Sequence, residues 1–170
     1  TLPCATSLPV RSYYANSDLL RKFVDPLPKF GTDIPIAVPD TTTYPGADYY
    51  EIGIVEYTQR MHSDLPKATR LRGFVQLVPD SPSASGHALH YPDGSAITWP
   101  ASGRQVYSRQ EPVYLGPLIV ATQDRAVRAK MMNFLPTGFG QVVNGSFVRN
   151  GNSFLPVDDS IDGAGLAYTQ

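Results

Sequence analysis

The side chains most suited to chemistry in this chain are three histidines and a single cysteine. His87 and His90 are separated by two residues in a segment rich in Gly and Ser. A helical turn would bring both rings together as a metal pair, but the surrounding Gly and Pro disfavour a helix, and a strand would place them on opposite faces. Because no cysteine or carboxylate cluster nearby supplies further zinc or copper ligands, we interpret both as surface imidazoles.

The third histidine, His62, lies in the sequence MHSDLP, residues 61–66, at the predicted end of a strand. Serine, histidine and aspartate are adjacent here, but a nucleophilic triad depends on three-dimensional geometry, and no nucleophile-elbow sequence is present. We therefore predict a turn in which the His62 ring bonds Asp64 or a backbone carbonyl. The sequence assigns no catalytic, cofactor-binding or metal-ligating residue, and we expect no copper to bind this chain alone.

Cys4 lies in a predicted terminal arm and cannot form an internal disulfide, because it is the only cysteine. Its alternatives are a free surface thiol, a disulfide with a cysteine of another polypeptide, and lipidation. The chain begins TLPCATSLPV, without an initiator Met or an apolar signal region, which fits a mature form whose targeting segment has been removed.

Composition favours a loop-rich, all-β protein, because sixteen prolines, fourteen glycines and ten tyrosines occur with few charged residues. The net charge is −1 and the basic residues are scattered, so we expect neither nucleic acid nor an anionic membrane as the main partner. No hydrophobic stretch approaches the length needed to span a bilayer. The length suits one domain, with or without a long irregular arm.

The most regular alternation begins at residue 49 and predicts a strand from Tyr49 to Met61, with Ile52 and Ile54 on one face. The next large apolar residues, Val55 and Tyr57, are out of phase with these, which predicts a bulge or a sheet crossover near Ile54. A second strand is predicted for residues 69–78, with these side chains on one face: Leu71, Gly73, Val75 and Leu77.

Residues 79–105 are predicted to form a surface hairpin inserted between sandwich strands. Asp93-Gly94 is a strong two-residue turn signal between the apolar segments 89–91 and 96–99.

The segment 114–136 predicts two further strands joined at a polar corner. A Gly-Pro turn opens the apolar stretch 118–121, and the polar residues 122–124 break it before a second, alternating stretch. Along that stretch we expect Arg128 and Lys130 to face water, and three side chains to face the core: Val127, Ala129 and Met131.

The flanking regions are less regular. Residues 1–48 are predicted to be an extended arm, with a short helix-like piece at 17–23 that Ser17 caps and Pro26 and Pro28 stop. Residues 49–170 are predicted to be a partial domain, with a short strand at 153–157. Because a sandwich needs about seven strands, we expect an incomplete sheet with an open edge.

Four groups of residues resemble, in order, the first cupredoxin domain of multicopper oxidases: Leu115 to Val120, then Asp124, then Val127 to Lys130, and Asn133 to Pro136. Upstream, KFVDPLP at 22–28 and HSDLP at 62–66 are similar to the bacterial branch that includes spore-coat laccase and bilirubin oxidase. The resemblance implies a cupredoxin-like Greek-key β-sandwich. It also implies copper in the complete protein, which would couple one-electron oxidation of a substrate to reduction of dioxygen to water.

Copper ligands of that family lie in His-x-His motifs, and this sequence contains none. The resemblance therefore implies that the ligands lie outside this chain, which would supply scaffold to the remainder of the same oxidase, or to a second polypeptide that completes the sheet. It also implies an exported protein, whether periplasmic, at the cell surface or extracellular. The alternative is a metal-free β-sandwich for binding or cell-surface assembly that docks through its open edge.

Overall fold

The structure is a computed structural model that describes residues 20–136 and the backbone of two short segments, 142–143 and 146–147. Cys4, Ser17 and the predicted strand at 153–157 lie outside the described residues. Every helix or strand among the described residues is a strand, which confirms the all-β prediction.

In the part of the chain that the structure describes, seven strands form three open sheets. The central sheet has the order β2-β1-β5, with β2 antiparallel and β5 parallel to β1. The other sheets are the antiparallel pairs β3-β4 and β6-β7. This open architecture is consistent with part of a cupredoxin-like sandwich. The strands are β1 (Ala47–Gln59), β2 (Thr69–Gln76), β3 (His87–Ala88), β4 (Tyr107–Ser108), β5 (Ala126–Asn133), β6 (Val142–Val143) and β7 (Ser146–Phe147).

The predicted bulge or sheet crossover near Ile54 is wrong, because β1 stays in one sheet. Each residue from Ile52 to Gln59 pairs with one residue of β2, and each from Ala47 to Ile54 pairs with one of β5. The phase of the apolar pattern changes because β1 is the central strand and buries opposite faces along its length. Tyr50 and Ile52 pack on one face with Ala37 of the arm, whereas Val55 and Tyr57 belong to the larger cluster on the other face.

The main core is this larger cluster. The side chains predicted to share one face of the second strand are directed into it. Val75 and Leu77 are buried in it and Leu71 packs against it. Gly53 and Gly73 leave the space that larger neighbours occupy, because a Cβ on Gly53 would lie 2.8 Å from Leu77 Cδ2. The buried members of the main core are Val55, Tyr57, Val75, Leu77, Leu89, Ile97, Trp99, Val106 and Phe134.

The hairpin at Asp93-Gly94 is confirmed, but its predicted surface position is wrong. Gly94 has φ of +84° and its N–H donates to Tyr91 O at 2.8 Å, closing the turn. The flanking Leu89, Ile97 and Trp99 are buried in the main core, so the hairpin covers the sheet. A turn signal fixes where the chain reverses, and the apolar residues beside it decide which side is buried.

The hairpin and the segment that follows it are joined by a closed ring of three backbone hydrogen bonds. Leu89 N–H donates to Val106 O, Val106 N–H to Ile97 O, and Ile97 N–H to Leu89 O, at 2.8–2.9 Å. The side-chain amide of Gln105 also donates to all three carbonyls, at 2.7–3.2 Å. Polar groups in this cover are therefore satisfied without a regular sheet.

The apolar stretch 118–121 does not form the predicted strand. Leu118 makes one isolated bridge to Ile36, with Ala37 N–H donating to Leu118 O at 2.9 Å and Leu118 N–H donating to Pro35 O at 2.8 Å. The stretch pairs with the arm instead of extending the central sheet. The polar corner after it is confirmed as a turn, in which Asp124 has φ of +63°.

The second alternating stretch is β5, but its predicted core face is wrong. Val127 and Met131 are exposed, and so is Ala129, while Met132 on the opposite face packs against the main core. Alternation shows which residues share a face, and it does not show which face is covered. Arg125 holds the start of β5 beside β1, because its Nε donates to Asp48 Oδ1 at 2.7 Å.

Among the described residues of the arm, Ile34 and Ala37 are buried, and Ala37 packs with Tyr50 and Ile52 of β1. The described part of the predicted helix-like piece, residues 20–23, is a turn and not a helix. Phe23 has φ of +59°, which is outside the right-handed helical region.

Candidate functional site

The His62 turn joins the arm to the end of β1. Asp64 N–H donates to His62 Nδ1 at 3.0 Å, so the ring proton is on Nε2, which donates to Arg21 O at 3.0 Å. This geometry confirms the prediction that His62 bonds a backbone carbonyl. Both ring nitrogens are directed at backbone groups, and neither is directed at Ser63 as a base for a nucleophile would be.

Two carboxylates complete the junction. The guanidinium of Arg21 contacts both oxygens of Asp64, at 2.6 Å from Nη2 and 3.0 Å from Nε, and Arg21 N–H also donates to this carboxylate. The hydrogen bonds from Arg21 hold the pKa of Asp64 at about 2. Ser63 N–H donates to Asp25 Oδ2 at 2.9 Å, and this bond lowers the Asp25 pKa. The junction is therefore an ionised network that fixes the arm on the turn.

A groove of about 540 Å³ lies between the arm and this turn. We call it the arm groove. Its walls are largely apolar, and Asp25, Asp33, Arg60 and His62 add ionisable groups. The apolar residues that line it are Pro26, Pro28, Ile34, Met61, Val113, Tyr114 and Leu115.

A second groove, of about 590 Å³, contains both other histidines. His87 lies in β3 with Nδ1 at 3.9 Å from Glu111 Oε1, and the His90 ring contacts Ala88 O at 3.1 Å. Both residues are exposed, as predicted. With only one carboxylate beside one of the two rings, a zinc ion in this groove would lack protein ligands at most of its four coordination positions.

The histidines do not fit a copper site within residues 20–136. His62 bonds backbone groups through both nitrogens, and His87 and His90 each have a different neighbour. Among the described residues, no group of three or more His, Cys, Asp or Glu side chains could hold a metal ion. These observations cover the described residues only, so it stays a prediction that the chain alone supplies no catalytic, cofactor-binding or metal-ligating residue.

The sequence analysis did not predict a buried charged group in the central sheet. Glu56 is fully buried in β1, where Arg70 binds one carboxylate oxygen through Nε at 2.8 Å and Arg72 binds the other at 3.0 Å. The sequence does contain a pattern that indicates this ion-pair cluster. A glutamate lies between apolar strand residues, and the next predicted strand has arginines at alternate positions of TRLRG. Because Glu56 pairs with Arg72 across the strands, the three side chains share one face.

That face also carries exposed apolar side chains, and we call it the open face. It is the side of the central sheet with Ile52, Glu56, Phe74, Val127 and Met131. Phe74 is 47% exposed and Met131 is 56% exposed. Over part of it lies the arm, where Gln76 bonds both the N–H and the C=O of Val38.

A comparison with known proteins finds similarity over part of this chain. A laccase of Haloferax volcanii is 42% identical over 69 residues, which cover 41% of this chain and 10% of the laccase. Part of the chain is similar to a laccase. The matched stretch spans about a tenth of the length of that curated relative.

No protein-family profile matches the chain. No solved structure matches it either. The described residues contain no helix that is both long and apolar enough to cross a membrane.

Proposed function

We propose that this chain is part of the first cupredoxin-like domain of a laccase-like multicopper oxidase, in which it supplies scaffold. The partial identity with the Haloferax laccase carries this proposal. The packing of the group Asn133 to Pro136 supports it: Phe134 packs edge-on against Trp99 at 5.4 Å, and Tyr91 OH donates to Phe134 O at 3.0 Å. Phe134, which belongs to the last of the four resembling groups, is thus part of the main core.

Under this proposal, residues 1–48 are the arm, residues 49–170 are the partial domain, and the copper ligands lie in polypeptide outside this chain. Copper in the complete, exported oxidase supplies one-electron oxidation of a substrate and reduction of dioxygen to water. This chain's own residues hold the sheet and the arm in place, and none of them is given a step in the reaction.

The backbone groups at the outer edge of β5 favour the proposal that a partner polypeptide completes the sheet. Phe134 N–H donates to Ile54 O at 3.0 Å, so alternate residues of β5 direct their backbone groups toward β1. The intervening residues, from Val127 to Asn133, direct theirs to the outer edge, where no strand among the described residues pairs with them. An added strand would satisfy these groups.

The first test is the DNA sequence that follows this chain or lies beside it. A His-x-His-Gly motif soon after Gln170, or in the adjacent reading frame, is the expected result. Lack of such a motif would remove the basis for an oxidase.

The second test is co-expression of the chain with that following polypeptide. We expect copper in the co-purified material and dioxygen consumption with a phenolic substrate, and neither with the chain alone. Stoichiometric copper on the lone chain, by elemental analysis, would overturn the scaffold role and would make His87 and His90 the first suspects.

The alternative is a metal-free module for binding or cell-surface assembly, and the outer edge of β5, which pairs with no described strand, favours it equally. The two functions differ in their partner. A partner that carries no His-x-His motif, and a complex without copper, would support the alternative.

A further inference from the structure

Phe23 is held in a conformation that local energetics disfavour. Its φ is +59°, a left-handed backbone that bulky side chains rarely adopt, and its side chain is completely exposed. Burial of the ring would stabilise the fold and a right-handed backbone would relieve strain. Neither occurs, so the surroundings of Phe23 must hold it in this conformation.

Those surroundings are the two anchors of the His62 turn. Two residues before Phe23, Arg21 binds the Asp64 carboxylate through its side chain and its backbone N–H. Two residues after it, Asp25 accepts Ser63 N–H at 2.9 Å. Both anchors bind the same turn, and Phe23 lies midway between them in sequence with its side chain fully exposed.

The next residues continue this apolar surface. Leu27 is 87% exposed and Phe30 is 71% exposed. The prolines at 26 and 28 restrict the backbone between them, and Lys29 N–H donates to Asp33 Oδ2 at 2.9 Å. Residues 21–30, which we call the arm loop, are therefore a fixed ridge beside the arm groove.

A fixed apolar ridge is suited to binding, because little conformational entropy remains to be lost when it docks. Large aromatic side chains are also frequent energetic anchors of protein interfaces. A water-exposed ridge of this composition has no evident role in the fold of the chain, since its side chains are outside both hydrophobic clusters.

We propose that the arm loop docks onto the part of the oxidase polypeptide that lies outside this chain, with Phe23, Leu27 and Phe30 inserted into an apolar surface there. This inference rests on the proposed function. The occupant follows from that proposed function, under which this chain is one part of a longer polypeptide, and the matched stretch is only 10% of the Haloferax laccase. The ridge is separate from the sheet edge of β5, so this second contact would fix the orientation of the partner.

The test uses the 170-residue chain and the separately expressed polypeptide that follows it, with affinity measured by biolayer interferometry. We expect the triple variant Phe23→Ser, Leu27→Ser, Phe30→Ser to bind about tenfold more weakly or worse. The matched control is Ile119→Ser with Val120→Ser, which removes exposed apolar side chains outside the arm loop and should bind as the wild type does. Equal weakening by both variants would overturn the proposal.

Single substitutions of Phe23 separate docking from folding. Phe23→Gly suits the left-handed backbone, so the chain should keep its fold and its urea midpoint while binding weakens. Phe23→Trp keeps an aromatic anchor and should restore binding. Wild-type affinity for Phe23→Gly would overturn the role of the ring.

Copper content and dioxygen consumption of each complex distinguish the two proposals. If the triple variant binds the following polypeptide with wild-type affinity and the complex is copper-loaded and active, the docking site is overturned and the oxidase function is left intact. Failure of the wild-type chain to bind any polypeptide that carries His-x-His overturns both. Light scattering that shows only self-association through the arm loop overturns the stated occupant.

Discussion

The two faces of the central sheet are built differently from nearly the same strands. On the covered face, Val55 and Val75 lie under the hairpin in the main core. On the open face, Phe74 and Met131 are exposed, and the buried side chains include the charged Glu56. The covered face therefore carries most of the hydrophobic stabilisation, and the open face keeps apolar surface available for contact.

The largest expected contrast is between aromatic residues of the two faces. Trp99→Ala removes a buried side chain of the main core and should lower the free energy of unfolding by about 3–5 kcal/mol. Phe74→Ala on the open face should change it by less than about 1 kcal/mol, because the ring is half exposed. Urea denaturation followed by circular dichroism measures both, and similar losses would mean that the open face is covered in solution.

The charged group of the open face gives the next effect. Glu56→Gln leaves Arg70 and Arg72 without their shared carboxylate and should cost about 3 kcal/mol. The matched variant Glu56→Leu, Arg70→Met, Arg72→Met removes all three charges, and it should recover most of that loss. If the triple variant is as unstable as Glu56→Gln, packing rather than charge pairing dominates at this position.

A smaller effect is expected where the covered face is most crowded. Gly53→Ala would place a Cβ 2.8 Å from Leu77 Cδ2 and should cost about 1–3 kcal/mol through overpacking. A double-mutant cycle with Leu77→Ala measures the coupling, because the smaller side chain makes room for the added methyl. Additive losses in that cycle would contradict a direct clash.

The smallest effect is a pH dependence at the junction of the arm. Arg21 lowers the Asp64 pKa to about 2, below the value near 4 of an unfolded aspartate. A lowered folded-state pKa means that the stabilisation is complete above about pH 4 and is lost as the pH falls through about 2.

NMR titration of the Asp64 carboxyl carbon measures this pKa directly. Arg21→Ala should return it toward 4, while Arg104→Ala, which removes the partner of Asp80 instead, should leave it unchanged. A wild-type Asp64 that titrates near 4 would show that the arm is not fixed on the turn in solution. The effect on global stability should be small, since the pair is exposed to solvent.

Local pattern was sufficient to predict the strands of the central sheet, because alternation and turn residues are properties of adjacent positions. The sequence 49–61 predicted β1, and Asp93-Gly94 predicted the hairpin turn. The turn at His62 also followed from short-range chemistry, since its ring bonds Asp64 N–H and Arg21 O.

The errors arose where long-range packing decides the outcome. Met131 alternates like a core residue, yet its side chain is exposed on the open face. Leu118 lies in an apolar run, yet it pairs with Ile36 of the arm, more than eighty positions earlier. Neither the position of Phe23 outside the hydrophobic clusters nor the burial of Glu56 could be inferred without knowing which segments meet.

The parallel pairing of β1 with β5 has a consequence for synthesis of the chain. Partners in this pairing are far apart, and Glu51 and Lys130 are separated by 79 positions. Closing so long a loop costs entropy before any strand contact compensates for it, which slows folding. During translation, β1 and β2 can meet early, but the edge of β1 that β5 covers stays unpaired until residue 133 has left the ribosome. We therefore expect the nascent chain to be most prone to aggregation in the interval between emergence of β1 and emergence of β5.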